Sequence, residues 1–526
     1  MSQRPGRGWL PAVLALLAGV LQAASLAWPT AVPQLLEPLG LTQGQTLWWG
    51  QIVALAVLVQ LLQASSSPRR AAWLGWLFST AWLACTFGWL YTSMHRYGGL
   101  AAPLAVLAVL ALAGVLALYY AAASWCFRAM AKVNTAQVAI LFVALWLLAE
   151  LARGLLLTGF GWGAVGYAQV DGPLAVALPW VGLYGVSALA AAVAVLLVQA
   201  LRARHGRAAL PPALALVAVF ALLPLVPGVS GSSSGLLKVT LLQGNIAQDE
   251  KFDQRSGVPH ALRWYGEQLN ASRNSLIITP ETALPVLPEQ LPEGYWQALQ
   301  QRFASGEQAA LVGMPLGNYT EGYTNSVLGL KPGQTAVWRY DKHHLVPFGE
   351  FIPPLFRWFI NLMNIPLGDF NRGELVQPTF DWQGQRLATS ICYENLFGEE
   401  LAAQFADAAK APTVLVNLSN LGWFGEHLAM DQHRQIARLR TLEFDRPFLL
   451  ATNTGRTAVV DHQGRVTQSL PNHVAQALSA EVQGRNGITP YAWWASRWGQ
   501  WPLVVLGCLG VCLAWMGRSR QPAGVK

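Results

Sequence analysis

Residues 388–398 read ATSICYENLFG. The run from Arg386 to Ile391 has strand character, and Cys392 follows it at once, ahead of the polar pair Glu394 and Asn395. The pattern is a strand that runs straight into a tight turn, with a thiol presented at its tip and the Tyr393 backbone N–H beside it. Similar short β-rich runs recur at 237–242, 275–279, 310–313, 335–340, 413–418, 448–452 and 457–461. Helix-like stretches intervene at 259–272, 293–304, 398–409 and 426–443. Strands and helices mixed in this order predict an α/β layered sandwich.

Several polar residues stand just past the strand ends, where open α/β sheets build their sites. Three carry chemistry: Glu281 in TPETALP, Lys342 in RYDKHHLVPFGEF, and Cys392. A free thiol is only a few per cent thiolate at neutral pH, so nucleophilic attack needs a base such as Glu281 to take its proton. A fixed ammonium such as Lys342 favours thiolate and stabilises the oxyanion of a tetrahedral intermediate. Taken singly, each residue has a plainer reading. A buried cysteine packs as a small hydrophobe, Glu281 caps the next segment, and Lys342 is a surface charge. His343 and His344 are adjacent, which is not the spacing of residues that ligate one metal ion together, so no metal site is expected.

Outside this region the 526-residue chain changes character. It is 53% hydrophobic and only 12% charged, about half the charged fraction of an ordinary soluble domain. Apolar runs near residues 9–28, 46–63, 71–92, 100–124, 137–158, 173–201, 209–228 and 500–517 have the length of membrane-crossing helices. Eight spans are expected. The formal net charge of +8 would suit a nucleic-acid partner, but the Lys and Arg residues fall mostly in the loops between spans, and no nucleic acid is expected. With the N-terminus in the cytoplasm, Arg4, Arg7, Arg69, Arg70, Arg128, Lys132, Arg202, Arg204, Arg207, Arg518, Arg520 and Lys526 all lie inside, and the short outside loops keep only Arg96. That is the distribution basic residues follow across a membrane. Glu150 and Arg153, near the end of the fifth span, are either a mutually satisfied pair or a substrate contact. The linker PGVSGSSSG at 227–235 has the composition of a flexible tether. Three parts follow: helices 1–7 in residues 1–229, an extracytoplasmic domain at 230–498, and an eighth helix with a cytoplasmic tail at 499–526.

With YDKHHLVPFGEFIP at 340–353, ICYEN at 391–395, NLSNLGWFG at 417–425 and spans on both sides, the chain resembles the nitrilase, or carbon-nitrogen hydrolase, superfamily. Within it, the chain is similar to the membrane-bound apolipoprotein N-acyltransferase family. The resemblance implies a nitrilase-like αββα sandwich carried by a polytopic helical bundle in the bacterial inner membrane, with the catalytic domain periplasmic and both termini cytoplasmic. It also implies a ping-pong acyl transfer. An acyl chain passes from a phospholipid, typically phosphatidylethanolamine, to the cysteine as a thioester, and then to the α-amino group of the S-diacylglyceryl-cysteine that begins an apolipoprotein. Carried over by motif, Glu281 is the general base, Lys342 the oxyanion residue and Cys392 the nucleophile, with Glu350, Tyr393 and Glu394 supporting them. No cofactor is implied.

One position departs from the family pattern: Phe252, after QGNIAQDEK, stands where a tryptophan is usual. Two other readings stay open at this point, a membrane-tethered amidase or nitrilase-type hydrolase, and a transporter or scaffold whose nitrilase-like domain is inactive. The stretch FIPPLFRWFINLMNIP at 351–366 is too apolar for a solvated loop. Phe351, Trp358 and Phe359 are therefore expected to form a lid that contacts lipid at the interface.

Overall fold

Alternation decides how the strands are used. In β2 (Leu276–Ile278), Leu276 and Ile278 join one buried cluster and Ile277 joins another, as a strand with both faces covered requires. The same division runs through two six-stranded sheets of the computed structural model, which describes residues 9–131, 135–203, 210–229, 231–318, 320–334, 336–352 and 370–516. In the first sheet the order is β12 (Gln476–Arg485), β1 (Ser233–Gln243), β2, β3 (Ala309–Asn318), β4 (Gly322–Leu330), β5 (Trp338–Asp341). In the second it is β11 (Val466–Ser469), β10 (Ala458–Val460), β9 (Phe448–Thr452), β8 (Val414–Ser419), β7 (Gln385–Ile391), β6 (Phe380–Trp382). The pairs β1–β2, β2–β3, β7–β8 and β8–β9 are parallel, and antiparallel strands flank them.

Residues of both sheets, among them Leu241, Ile278, Ile391, Val416 and Leu449, share one core. The outer face of the first sheet packs on Gly257–Ala271 and Tyr295–Ser305. The outer face of the second packs on Gly398–Ala403, Leu428–Phe444 and Pro490–Trp498. The layers are therefore αββα. β4, β6, β11 and β12 go beyond the runs legible in sequence. β12 shows why: its Ala, Gln and Glu favour helix, yet its burial alternates along the strand because it pairs with β1 over its whole length.

The chain forms two compact units, one drawn from Met1–Gly88, Val106–Gly228 and Trp498–Lys526, the other from Trp89–Ala105 and Val229–Arg497. Trp89–Ala105, which the sequence reading divides among the end of one span (to 92), a short outside loop with Arg96 and the start of the next span (from 100), belongs to the second unit. There Trp89 Nε1 donates to Gln432 Oε1 at 3.0 Å and its ring meets Phe424 edge-on at 4.6 Å. Tyr97 meets Trp423 at 5.4 Å, and Arg96 lies 3.5 Å from Asp249.

The first unit is helical. Among the described residues, Ala102–Met130, Thr135–Thr158 and Pro173–Arg202 are long and apolar enough to cross a membrane, and Leu10–Ala24, Trp48–Ala64 and Leu210–Leu225 are shorter apolar helices. Side chains such as Leu107, Val115, Leu118, Leu509 and Leu513 are exposed, as on a helix whose solvent is lipid. Small residues let the helices close up: a Cβ on Gly19 would lie 2.2 Å from Phe78 O. Glu150 and Arg153 are buried and tie down the segment that follows their helix. Glu150 Oε1 accepts from Val165 N at 3.1 Å, and Arg153 donates to Tyr120 Oη at 2.9 Å and Trp162 O at 2.8 Å. Those bonds favour the structural reading of the pair.

Candidate active site

β2 delivers Glu281. Thr279 Oγ1 accepts from Gly313 N at 3.0 Å, which fastens the Pro280 turn against β3. A side chain at Gly313 would strike Pro280 O, only 2.3 Å from its Cβ position. Glu281 is 8% exposed. Its Oε1 accepts from Asn325 Nδ2 at 2.8 Å and Lys342 Nζ at 3.4 Å, and its Oε2 from the Asn420 N–H at 2.9 Å.

β5 ends at Asp341 and hands on Lys342, which is buried and held to β4 by its backbone N–H on Asn325 O at 2.8 Å. Its ammonium donates to Glu350 Oε1 at 2.8 Å as well as to Glu281. Burial alone would lower its pKa, but Glu350 and Glu281 outweigh burial and hold the ammonium charged. Glu350 itself accepts from Val346 N at 2.8 Å and from Asn325 Nδ2 at 2.9 Å, so one amide bridges both carboxylates.

β7 runs into Cys392 as the sequence pattern predicts, and the turn is tight. Cys392 has φ +51°, the left-handed region that side chains rarely enter. Its carbonyl accepts from Asn417 Nδ2 at 3.1 Å and faces His433 Nε2 at 3.4 Å. Glu394 braces the turn. It takes the Ile391 N–H at 2.6 Å, the His343 and His344 N–H groups at 2.7 and 3.1 Å, and the Tyr340 hydroxyl at 2.9 Å. One carboxylate thus joins the cysteine turn to the lysine loop. The Tyr393 ring packs edge-on against Phe397 and near His344.

Burial pushes the Cys392 thiol well above the ordinary thiol range. Glu281 and Glu350 push the same way, while Lys342 and the Asn420 N–H pull against them. The resting sulphur is therefore protonated, and a proton acceptor has to act in step with any attack it makes. Burial lowers the pKa of His433 to about 4, against a smaller upward pull from the Cys392 carbonyl.

The structure thus brings Glu281, Lys342 and Glu350 into one buried, hydrogen-bonded group whose charges act on the buried Cys392, with Glu394 bracing the cysteine turn and Tyr393 next in the chain. Phe351 lies in a short turn, where Phe348 N donates to its carbonyl at 2.9 Å and Arg372 stands 5.1 Å from its ring. Trp358 and Phe359, and with them the expected lid, lie outside the described residues. Phe252 is 39% exposed. His343 Nδ1 faces Gly373 O, whereas His344 Nδ1 faces Glu400 and its ring stacks on Phe397.

Asn325, Asn420 and Lys251 are additions that sequence reasoning missed. Asn420 lies in NLSNLGWFG and Lys251 closes QGNIAQDEK, so both sit in quoted motifs without an assigned part. Asn325 lies in β4, which has no clear strand signal.

Residues 18–196 match the model of the apolipoprotein N-acyltransferase N-terminal domain, and residues 238–489 that of the carbon-nitrogen hydrolases. The chain is 53% identical over 508 residues to an apolipoprotein N-acyltransferase of Verminephrobacter eiseniae, covering 92% of each chain. It is 43% identical over 478 residues to that of Ralstonia nicotianae, covering 90% of each. Among solved structures it is similar to Nit3 of Saccharomyces cerevisiae, a member of branch 10 of the nitrilase superfamily. That match has 16% identity and a TM-score of 0.36, and covers 48% of this chain and 93% of that one.

Proposed function

The chain belongs to the apolipoprotein N-acyltransferase family, and from that premise we propose that it works through a thioester on Cys392. It is an acyltransferase whose donor is a phospholipid and whose acceptor is an apolipoprotein. In the first half-reaction the Cys392 sulphur attacks the ester carbonyl of the donor as Glu281 takes the thiol proton. Collapse of the tetrahedral intermediate breaks the ester C–O bond, and the proton on Glu281 passes to the leaving oxygen. In the second half-reaction the acceptor's α-amino nitrogen attacks the thioester as Glu281 accepts its proton, and collapse breaks the C–S bond with that proton returned from Glu281 to the leaving sulphur, which restores the thiol and the carboxylate. The thioester conserves the energy of the ester, so no cofactor enters the scheme.

Lys342 bonds both carboxylates, offsets their mutual repulsion and keeps Glu281 aimed. Glu350 fixes Lys342, Glu394 fixes the strained turn, and the Tyr393 N–H faces the developing oxyanion. The observation that supports this reading most is the single buried group in which Glu281 and Lys342 bond each other while both influence the Cys392 thiol. Substituting Cys392→Ala and measuring N-acylated lipoprotein peptide by mass tests it. Product should vanish, and product at the normal rate would remove the cysteine from the mechanism.

The finer organisation is proposed on the distribution of basic residues. It has eight spans, residues 1–229 and 499–526 in the inner membrane with both termini cytoplasmic, and residues 230–498 on the periplasmic side. Phosphatidylethanolamine is the expected donor.

A further inference from the structure

We propose that Lys251 is a second cation of the acyl-transfer centre, donating to the oxyanion that forms on the acyl carbonyl as the Cys392 sulphur attacks. The proposal rests on the thioester reading above.

The loop that follows β1 carries Lys251 and is pinned from below: Asn245 N donates to Asn453 O at 2.8 Å and Ile246 N to Asn453 Oδ1 at 3.0 Å. Lys251 is 2% exposed, and its Nζ donates to the main-chain oxygen of Glu281 at 3.1 Å. An ammonium has three N–H donors, and among the described residues no carboxylate lies within ion-pair distance of this one. The contrast with Lys342 is direct. Lys342 is bound to two carboxylates, so its charge is largely spent on them, whereas Lys251 keeps charge and donors in hand. The Glu281 carboxylate and Cys392 are the charged groups that act on it electrostatically, and the Phe252 ring lies 5.9 Å away. Asp249 on the same loop is taken up by Arg96.

A second donor stands beside it. Gln248 Oε1 accepts from Asn420 Nδ2 at 2.6 Å, while Gln248 Nε2 is buried without a partner among the described residues. Asn420 is the residue whose N–H holds Glu281. A loop that buries two unspent donors next to Glu281 and the Asn420 that holds it is suited to an anion that exists only during the reaction.

The step balances without another reactant. As the C–S bond forms, the thiol proton goes to Glu281 and the carbonyl π pair becomes the oxyanion that Lys251 meets. Collapse restores the carbonyl and expels the ester oxygen with the proton from Glu281.

Burial lowers the pKa of Lys251 to about 8, with Glu281 and Cys392 holding it up. Its charge is therefore present below about pH 8 and lost above. Because the Cys392 thiol ionises well above that range, it contributes no opposing limb.

The experiment is single-turnover acylation of the full-length enzyme by phospholipid without acceptor, read as adduct mass from pH 6.5 to 9.5. The wild type should slow above about pH 8. Lys251→Met should acylate roughly 10²- to 10³-fold more slowly and lose that alkaline limb. Lys251→Arg, which keeps its charge throughout, should recover most of the rate and stay flat past pH 9. Lys251→Met acylating at the wild-type rate, or slowed but retaining the limb, overturns the proposal, as does Lys251→Arg behaving like Lys251→Met. Cys392→Ala is run alongside: an adduct there would count against the thioester itself rather than against Lys251.

Discussion

At the scale of single residues, the site is a set of buried charges whose positions are fixed by what they accept. Glu281 is oriented by an amide, an ammonium and a backbone N–H. Glu281→Gln keeps its size but cannot take a proton. Acylation by phospholipid should fall by roughly 10²- to 10⁴-fold with little change in melting temperature, and an unchanged rate would move the base elsewhere. His433 gives a prediction on stability. An unfolded histidine takes its proton near pH 6.5, whereas folded His433 does so only near pH 4. Between those values the unfolded chain binds the extra proton, so the contribution is complete above about pH 6.5 and falls by roughly 3 kcal/mol as pH drops to about 4. His433→Gln should flatten the fall in melting temperature across that window; an identical pH slope in both proteins would assign the acid sensitivity to other groups.

At the scale of elements, the strand ends were the legible part. Cys392 stands directly after β7, Glu281 follows β2 after Thr279 and Pro280, and Lys342 stands directly after β5, each where a strand breaks into a turn, and residue type does the rest. Asn325 and Asn420 escape because an amide at a strand end has many ordinary uses, and only the fold brings them to Glu281. Lys251 escapes because a lysine after two acidic residues reads as solvated charge; the Asn453 contacts that bury its loop are about two hundred residues away in sequence. The segment Trp89–Ala105 is the largest such surprise. In sequence it reads as the ends of two spans around a short loop with Arg96, yet Trp89 and Tyr97 pack on Phe424 and Trp423 of the second unit. If it is a working part of that unit, Trp89→Ala should cost roughly 3 to 5 kcal/mol, as truncating a buried aromatic residue does, seen as a lowered melting temperature. A loss within about 0.5 kcal/mol would make it a peripheral attachment.

At the scale of the whole molecule, composition and charge placement separate an apolar helical part from an α/β part without any reference to structure, but they do not show which helices are long. Three described helices meet the length and hydropathy of a span, and the proposed eight-span topology rests on the placement of Lys and Arg. Thiol labelling of single cysteines in intact cells should find position 206 cytoplasmic and position 232 outside; the reverse pattern would put the candidate site in the wrong compartment. In the proposed mechanism donor and acceptor react in separate steps through one sulphur. The direct measurement is intact mass of the purified enzyme after incubation with phospholipid alone. One acyl chain should accumulate on Cys392, disappear when diacylglyceryl peptide is added, and reappear on the peptide's amino nitrogen. Acylated peptide formed with no adduct at any time, or formed equally well by Cys392→Ala, would contradict it.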